Sequence, residues 1–281
     1  MIIGLMFTVP IFYAPSDTLG VNTPNLKSSA NSNKIYIKNN WTATKSAGIC
    51  TGEGTRSNPY LIKHRVIDAG GVGSGIFIEN SSEYFKIQNC TVFNSELGTD
   101  YGGINLNKVQ NGILVNNTFH DNYHGIKLWS SINIQVIRNR IHSNLGLGIE
   151  LAYTNNSILY LNTVNNNLVN VGFWWSYNEY NSREKFTYTF QGNTYTSYLG
   201  NYWGGYSGVD GNSDGIGDTP FYIGSHFHNA TLTDNYPLIE PIDYYSNISL
   251  ASGLIPGYHI FSLIFIISLT ILIIIKVKFR K

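Results

Sequence analysis

The chain has 281 residues, of which 18 are Lys or Arg and 17 Asp or Glu; charged residues make up 12% and the net charge is +1. This balance excludes nucleic acid as a partner, because a phosphate backbone is held by clustered cations and no basic stripe is present. Tyrosine, at 20 residues, and asparagine carry the polarity instead, a composition suited to neutral, hydroxyl-rich ligands and equally to a β-structure with uncharged loops.

In chain order, Ile2 to Ala14 (IIGLMFTVPIFYA) is an apolar run that predicts a signal-peptide-like segment over 1–20, although no basic residue precedes it. Residues 21–33 are polar and predict a spacer. Residues 34–74 predict an N-terminal cap with the first strands: KIYIK at Lys34 to Lys38, TGEGTRSNPYLI at Thr51 to Ile62, then Arg65 to Ile67 leading into Asp68 and Gly70. A solenoid needs such a cap, since an exposed terminal coil would pair with another chain. Cys50 and Cys90 are the only cysteines. In an oxidising setting they predict a disulfide tying this cap to the next coil, the alternative being that Cys90 is a small core residue.

From Gly75 to Gly172 the sequence repeats every 22 to 28 residues, each repeat opening with glycine, an apolar residue, any residue and an apolar residue. The repeats begin at Gly75, Gly103, Gly125 and Gly148. Asparagine stands 14 residues after each glycine, at Asn89, Asn117, Asn139 and Asn162, and again five residues later, at Asn94, Asn122, Asn144 and Asn167. An apolar column, Ile87, Val115, Ile137 and Tyr160, lies two before the first asparagine column. A unit this short is too small for two helices and has no helical periodicity, so residues 75–199 predict the coils of a parallel β-helix. Equivalent residues would then sit about 4.8 Å apart. Stacked asparagines can donate to one coil and accept from the next, and they tolerate the left-handed conformation of sharp bends. The 28-residue first repeat predicts a loop bulging out near Gly98 to Tyr101.

After Gly172 the period dissolves into an aromatic cluster (Phe173, Trp174, Trp175, Tyr177) and a hairpin-like insert from Arg183 to Tyr195. Residues 200–240 predict a second cap, and 241–253 a linker. The 22 residues 254–275 carry no charge. At about 1.5 Å each they predict a helix crossing a hydrocarbon core of roughly 30 Å. Lys276, Lys278, Arg280 and Lys281 follow, so the tail 276–281 is expected in the cytoplasm and everything before the span outside. An outside location makes Asn40, Asn80, Asn116, Asn155, Asn229 and Asn247 candidates for N-linked sugars. The sequon at Asn89 is expected to be buried in the ladder.

Asp210, Asn212, Asp214, Gly215 and Asp218 follow the order of the first nine positions of a calcium loop, but position twelve is Phe221 rather than a bidentate glutamate. Calcium would need a further ligand, Asp234 or water. The alternative is a tight turn whose carboxylates bond to backbone amides.

The run GNYWGGYSGVDGNSDGIGD from Gly200 to Asp218, with TPFYI and DNYPLI after it, resembles the C-terminal signature of the NosD-like, carbohydrate-binding and sugar-hydrolase (CASH) β-helix proteins. GEGTRSNPYLI followed by IDAGG is similar to the opening of archaeal surface members. The resemblance covers residues 35–240 and implies a right-handed parallel β-helix. It leaves function open among copper-enzyme maturation, polysaccharide chemistry and binding.

Along the sheet beside the glycine column, the outward positions are expected to be Phe77, Glu79, Asn105, Asn107, Lys127, Trp129, Glu150, Trp174 and Ser176. Tryptophan beside asparagine suits stacking on a sugar ring and bonding its hydroxyls. Trp129, Trp174, Trp175, Asn105, Asn107, Lys127 and Glu150 are therefore the ligand-facing candidates. The acids do not pair as in a hydrolase: at about 4.8 Å per coil, Glu79 and Glu150 stand about 14 Å apart, beyond the roughly 5–9.5 Å of catalytic carboxyls. Glu150 faces Lys127 instead, an ion pair or the sketch of a lyase site. For copper the chain offers His120 and His142 in one column with His124 near by, to be read also as polar surface residues. Sequence alone thus favours an exported, membrane-anchored β-helix that binds glycans or other surface proteins or builds the envelope, over a lyase or hydrolase and over a copper-handling protein.

Overall fold

The computed structural model describes residues 34–224 and 232–251. The signal-like segment, the spacer, Asn229, the apolar span and the basic tail lie outside them.

The chain winds through three parallel six-stranded sheets, visiting each once per turn, as a right-handed parallel β-helix. Sheet A holds Ile35–Lys38, Ile76–Ser81, Gly102–Val109, His124–Trp129, Leu147–Ala152 and Val169–Trp174. Sheet B runs from Tyr60–Lys63 to Tyr177–Glu179 and sheet C from Val66–Asp68 to Tyr202–Trp203. The strands form because apolar residues alternate. In sheet A, Ile76 and Ile78 are paired with Ile104 and Leu106, these with Ile126 and Leu128, and these with Ile149 and Leu151. All eight are fully buried. Each contributes about 1.5–3 kcal/mol by leaving water.

Glycine opens each repeat because the coils approach too closely for a side chain. A Cβ on Gly125 would lie 2.6 Å from the carbonyl oxygen of Gly148 and 2.9 Å from Asn144 Nδ2. Gly125→Ala is expected to cost about 3 kcal/mol, measured as a shift in urea unfolding.

Two hydrogen-bonded ladders run up the inside of the coil. In the first, Asn117 N donates to Asn139 Oδ1 (3.0 Å), Asn139 N to Asn162 Oδ1 (2.9 Å) and Asn162 N to Asn201 Oδ1 (3.2 Å). In the second, Asn122 N donates to Asn144 Oδ1 and Asn144 N to Asn167 Oδ1. The lowest rung of each differs from expectation. Cys90 and Ser95, rather than Asn89 and Asn94, donate their amides to Asn117 and Asn122. The second coil carries one extra residue in the turn between Ser81 and Phe85, since Ser81 pairs with Val109 and Phe85 with Gly112. That shift puts Asn89 outside, at the left-handed bend shared by Asn116, Arg138 and Leu161 (φ 54–59°). The buried apolar column is accordingly Ile87, Leu114, Val136 and Leu159, with Val115, Ile137 and Tyr160 only half-buried.

A third ladder, of hydroxyls, was not legible in the asparagine pattern. Val109 N donates to Ser131 Oγ, Ser131 N to Thr154 Oγ1 and Thr154 N to Ser176 Oγ. Ser176, expected to face outward, is buried at its end.

At the N-terminus, residues 34–74 are the first coil itself as well as its cover. The short helix Trp41–Ser46 lays Trp41 parallel to Tyr60, with ring centroids 4.8 Å apart, and donates its indole N–H to Ser81 Oγ. Cys50 and Cys90 are free thiols, both buried, so no disulfide joins cap and coil. Burial pushes both thiols up, which disfavours the thiolate.

At the other end, the insert folds as a hairpin, Phe186–Phe190 with Asn193–Ser197. Tyr245–Leu250, expected as linker, is a third strand of that sheet. Tyr188, Phe190, Leu199, Leu238 and Tyr245 form a small separate core that gives this strand an apolar face to cover. Asp234 closes the asparagine ladder: its carboxylate accepts from Asn201 N (2.7 Å), Trp203 Nε1 (2.9 Å) and Tyr236 N (3.0 Å). Gly200 makes room for it, as a Cβ there would lie 1.9 Å from Asp234 Oδ1.

Candidate binding groove

Apart from the one residue after Ser81, the long first repeat places its surplus where the expected bulge lies, and this strap folds back across sheet A. Gly102 N donates to Ser74 Oγ, Tyr123 N to Ser95 Oγ, Asn105 Nδ2 to Asp100 O (2.9 Å) and Lys127 Nζ to Thr99 O (2.9 Å). Beside it runs a groove of about 500 Å³. Phe77, Asn105 and Lys127 lie in one outward row of sheet A and Asn107 and Trp129 in the next. Tyr36 and Tyr101 complete its aromatic lining.

The strap changes how the expected ligand-facing residues stand. Lys127 and Glu150 are each only 6% exposed and Asn105 7%, so these three are buried rather than open to solvent. Lys127 Nζ is 2.7 Å from Glu150 Oε2, and His124 Nε2 is 3.3 Å from the same oxygen. Burial pushes the Glu150 carboxyl up and Lys127 pulls it back. Burial, with help from the Lys127 charge, lowers His124 to about 4, so the imidazole is neutral at physiological pH. Its Nδ1 accepts from Leu147 N. The cluster is thus a closed ion pair with an imidazole beside it, its hydrogen bonds spent on holding strap and sheet together.

Asn105 Oδ1 and Asn107 Oδ1 are buried and accept no hydrogen bond. Trp129 remains 39% exposed, with Lys127 Nζ 5.4 Å from its ring and Tyr153 edge-on at 5.4 Å. Trp174 stands two coils beyond Trp129 in the same row, with Ala152 between, and neither it nor the exposed Trp175 lines the groove. Tyr36 was missed as a site residue. The signal was present: IYIK at residues 35–38 matches IFIE at 76–79, and the structure pairs Tyr36 with Phe77.

The Asp/Gly loop is closed upon itself. Asp210 accepts from Asp214 N and Gly215 N, Asn212 from Asp214 N, Asp214 from Ile216 N, and Asp218 from Gly211 N. Tyr188 and Tyr245 donate their hydroxyls to the carbonyls of Asp214 and Gly215. This is the amide-capped turn geometry. Asp234, the candidate extra ligand, is committed to the ladder instead. Among the sequon residues Asn40, Asn80, Asn116 and Asn247 are exposed and Asn155 half-buried.

Three parallel sheets, each entered once per turn, define the class of protein as a right-handed parallel β-helix. The chain belongs to the NosD family, described as periplasmic copper-binding protein, whose match spans residues 21–208. No match was found among curated proteins or among solved structures.

Copper, which that description implies, finds no fitting donor set in the described residues. The rings of His120 and His142 stack face to face, with centroids 5.4 Å apart and planes 5° apart, so their in-plane lone pairs run parallel instead of converging on one ion. His120 Nδ1 is bonded to Asp121 and His142 Nδ1 to Ser143, and Phe93 continues the stack. His124 is in another sheet, held by Leu147 and Glu150. Among the described residues no group of three or more His, Cys, Asp or Glu side chains is placed to hold a metal.

Proposed function

We propose that this protein is an exported carbohydrate-binding β-helix that holds a glycan in the groove beside the 95–101 strap, and that the apolar stretch 254–275 anchors it at the cell surface. The observation that carries the reading is an exposed tryptophan face, Trp129, in one groove with Tyr36, Phe77 and Tyr101. Aromatic faces take the apolar side of a pyranose. The family's periplasmic description supports an extracytoplasmic location. Binding is favoured over hydrolysis because Asp100 is the single acid in the groove lining and the nearby Glu150 is spent on Lys127, which leaves no carboxylate pair set across a bound sugar.

The test is a glycan-array screen of the full chain and of Trp129→Ala. Binding to at least one glycan class is expected, weakened about tenfold by Trp129→Ala with an unchanged unfolding midpoint. No binding to any glycan would defeat the reading.

A further inference from the structure

We infer that the chain carries a second binding site, for a carboxylate or phosphate borne on a small hydroxylated compound. It is the cleft between the bend that joins sheets B and C and the segment 242–248. The cleft has a volume of about 370 Å³ and shares no lining residue with the groove. Its chemistry follows from the coil. Asn139 turns inward to its ladder and is fully buried, while Arg138 and Arg140 on either side of it reach the outside, and both line the cleft. Asn116 and Thr118 hold the same places one coil earlier, on either side of Asn117. Two guanidinium groups, an amide and a hydroxyl therefore line one concavity.

The charges of this cleft do not cancel. Asp243 is the single acid of its lining, and it pairs with Arg140. Arg138 has no ion pair and donates no side-chain hydrogen bond among the described residues. One positive charge is left over, on a group that stays protonated and carries five N–H donors in a planar fork. A fork of that shape takes two oxygens of one carboxylate or phosphate. The Arg140–Asp243 pair does not close the cleft. Its side chains are 45% and 49% exposed, and such a pair is worth about 1 kcal/mol or less, so a bound oxyanion can share Arg140. Asn116 is exposed and Thr118 half-buried, and neither side chain has a hydrogen-bond partner, which leaves both for the hydroxyls of the same compound. A cation would meet the surplus positive charge, and an uncharged compound would leave it uncompensated.

The experiment is calorimetric titration of the full chain, in non-ionic detergent at low salt, with D-glucuronate, glucose 6-phosphate and glucose. At least one of the two acids is expected to bind with a Kd of about 1 mM or tighter, and glucose about tenfold more weakly or not at all. The better of the two acids names the oxyanion. Arg138→Gln is expected to weaken that acid about tenfold or more, with an unchanged unfolding midpoint. Asp243→Asn, which frees Arg140, is expected to tighten it several-fold. Binding of neither acid, or equal binding by Arg138→Gln and the wild type, overturns the inference. So does an affinity lost in Trp129→Ala and kept in Arg138→Gln, which would place the acid in the groove.

Discussion

Asn139→Leu is expected to lower the stability of the protein by about 5 kcal/mol, because it strips hydrogen bonds from several buried groups at once and puts a side chain of nearly the same volume in their place. Asn139 Oδ1 accepts from Asn117 N and Asn117 Nδ2, and its Nδ2 donates to Leu114 O, Ile137 O and Asn162 Oδ1. The site is inaccessible to water. Leucine satisfies none of these groups. Asn167, at the far end of the second ladder, is only partly buried, and Asn167→Leu should cost no more than about 1–2 kcal/mol since water replaces the missing partners. Chemical unfolding of both variants separates the cases: equal losses would mean that the ladder is not what holds the coils together.

Asp234 should make stability depend on pH in the direction opposite to ordinary acid denaturation. Burial pushes its carboxyl up from 3.8 to about 7, and the donors Asn201 N, the Trp203 indole and Tyr236 N pull it only part of the way back. The folded chain therefore holds a proton between pH 4 and 7 that the unfolded chain releases. The contribution of this group is full below about pH 4 and is lost as the pH rises through 7, by up to about 1.4 kcal/mol per unit. Asp234→Asn cannot titrate, so its stability relative to the wild type should improve steadily from pH 4 to 7 even though its amide offers a donor where only acceptors fit. Unfolding midpoints of the two proteins across that range test this. Parallel profiles would show that the carboxyl stays ionised throughout.

How much of this was legible can be followed residue by residue. Glycine, alternating apolar residues and asparagine recur at the coil period, and each reports a contact with its own counterpart one turn away. The β-helix, the ladder through Asn117, Asn139 and Asn162, and Trp129 on the outer face all follow from that. The one-residue-longer turn after Ser81 was invisible, because a repeat of 28 residues does not say where its surplus lies; it moved Asn89 and Asn94 off the ladders and installed Cys90 and Ser95. The burial of Asn105, Lys127 and Glu150 was equally hidden, since strand alternation predicts only that they face away from the core.

The amino-acid sequence by itself determined the coil, its family resemblance and the asparagine ladders, because in a one-dimensional stack the packing partner of each residue is its own periodic image. Only the tertiary structure decided what the aperiodic pieces do: the strap that covers Lys127 and borders a groove, the strand Tyr245–Leu250 that completes a hairpin sheet, and the buried Asp234 that ends the asparagine ladder. Those pieces have no counterpart in the next turn to align with. Their places follow from the shape and hydrogen-bonding needs of surfaces that exist only once the coil is wound.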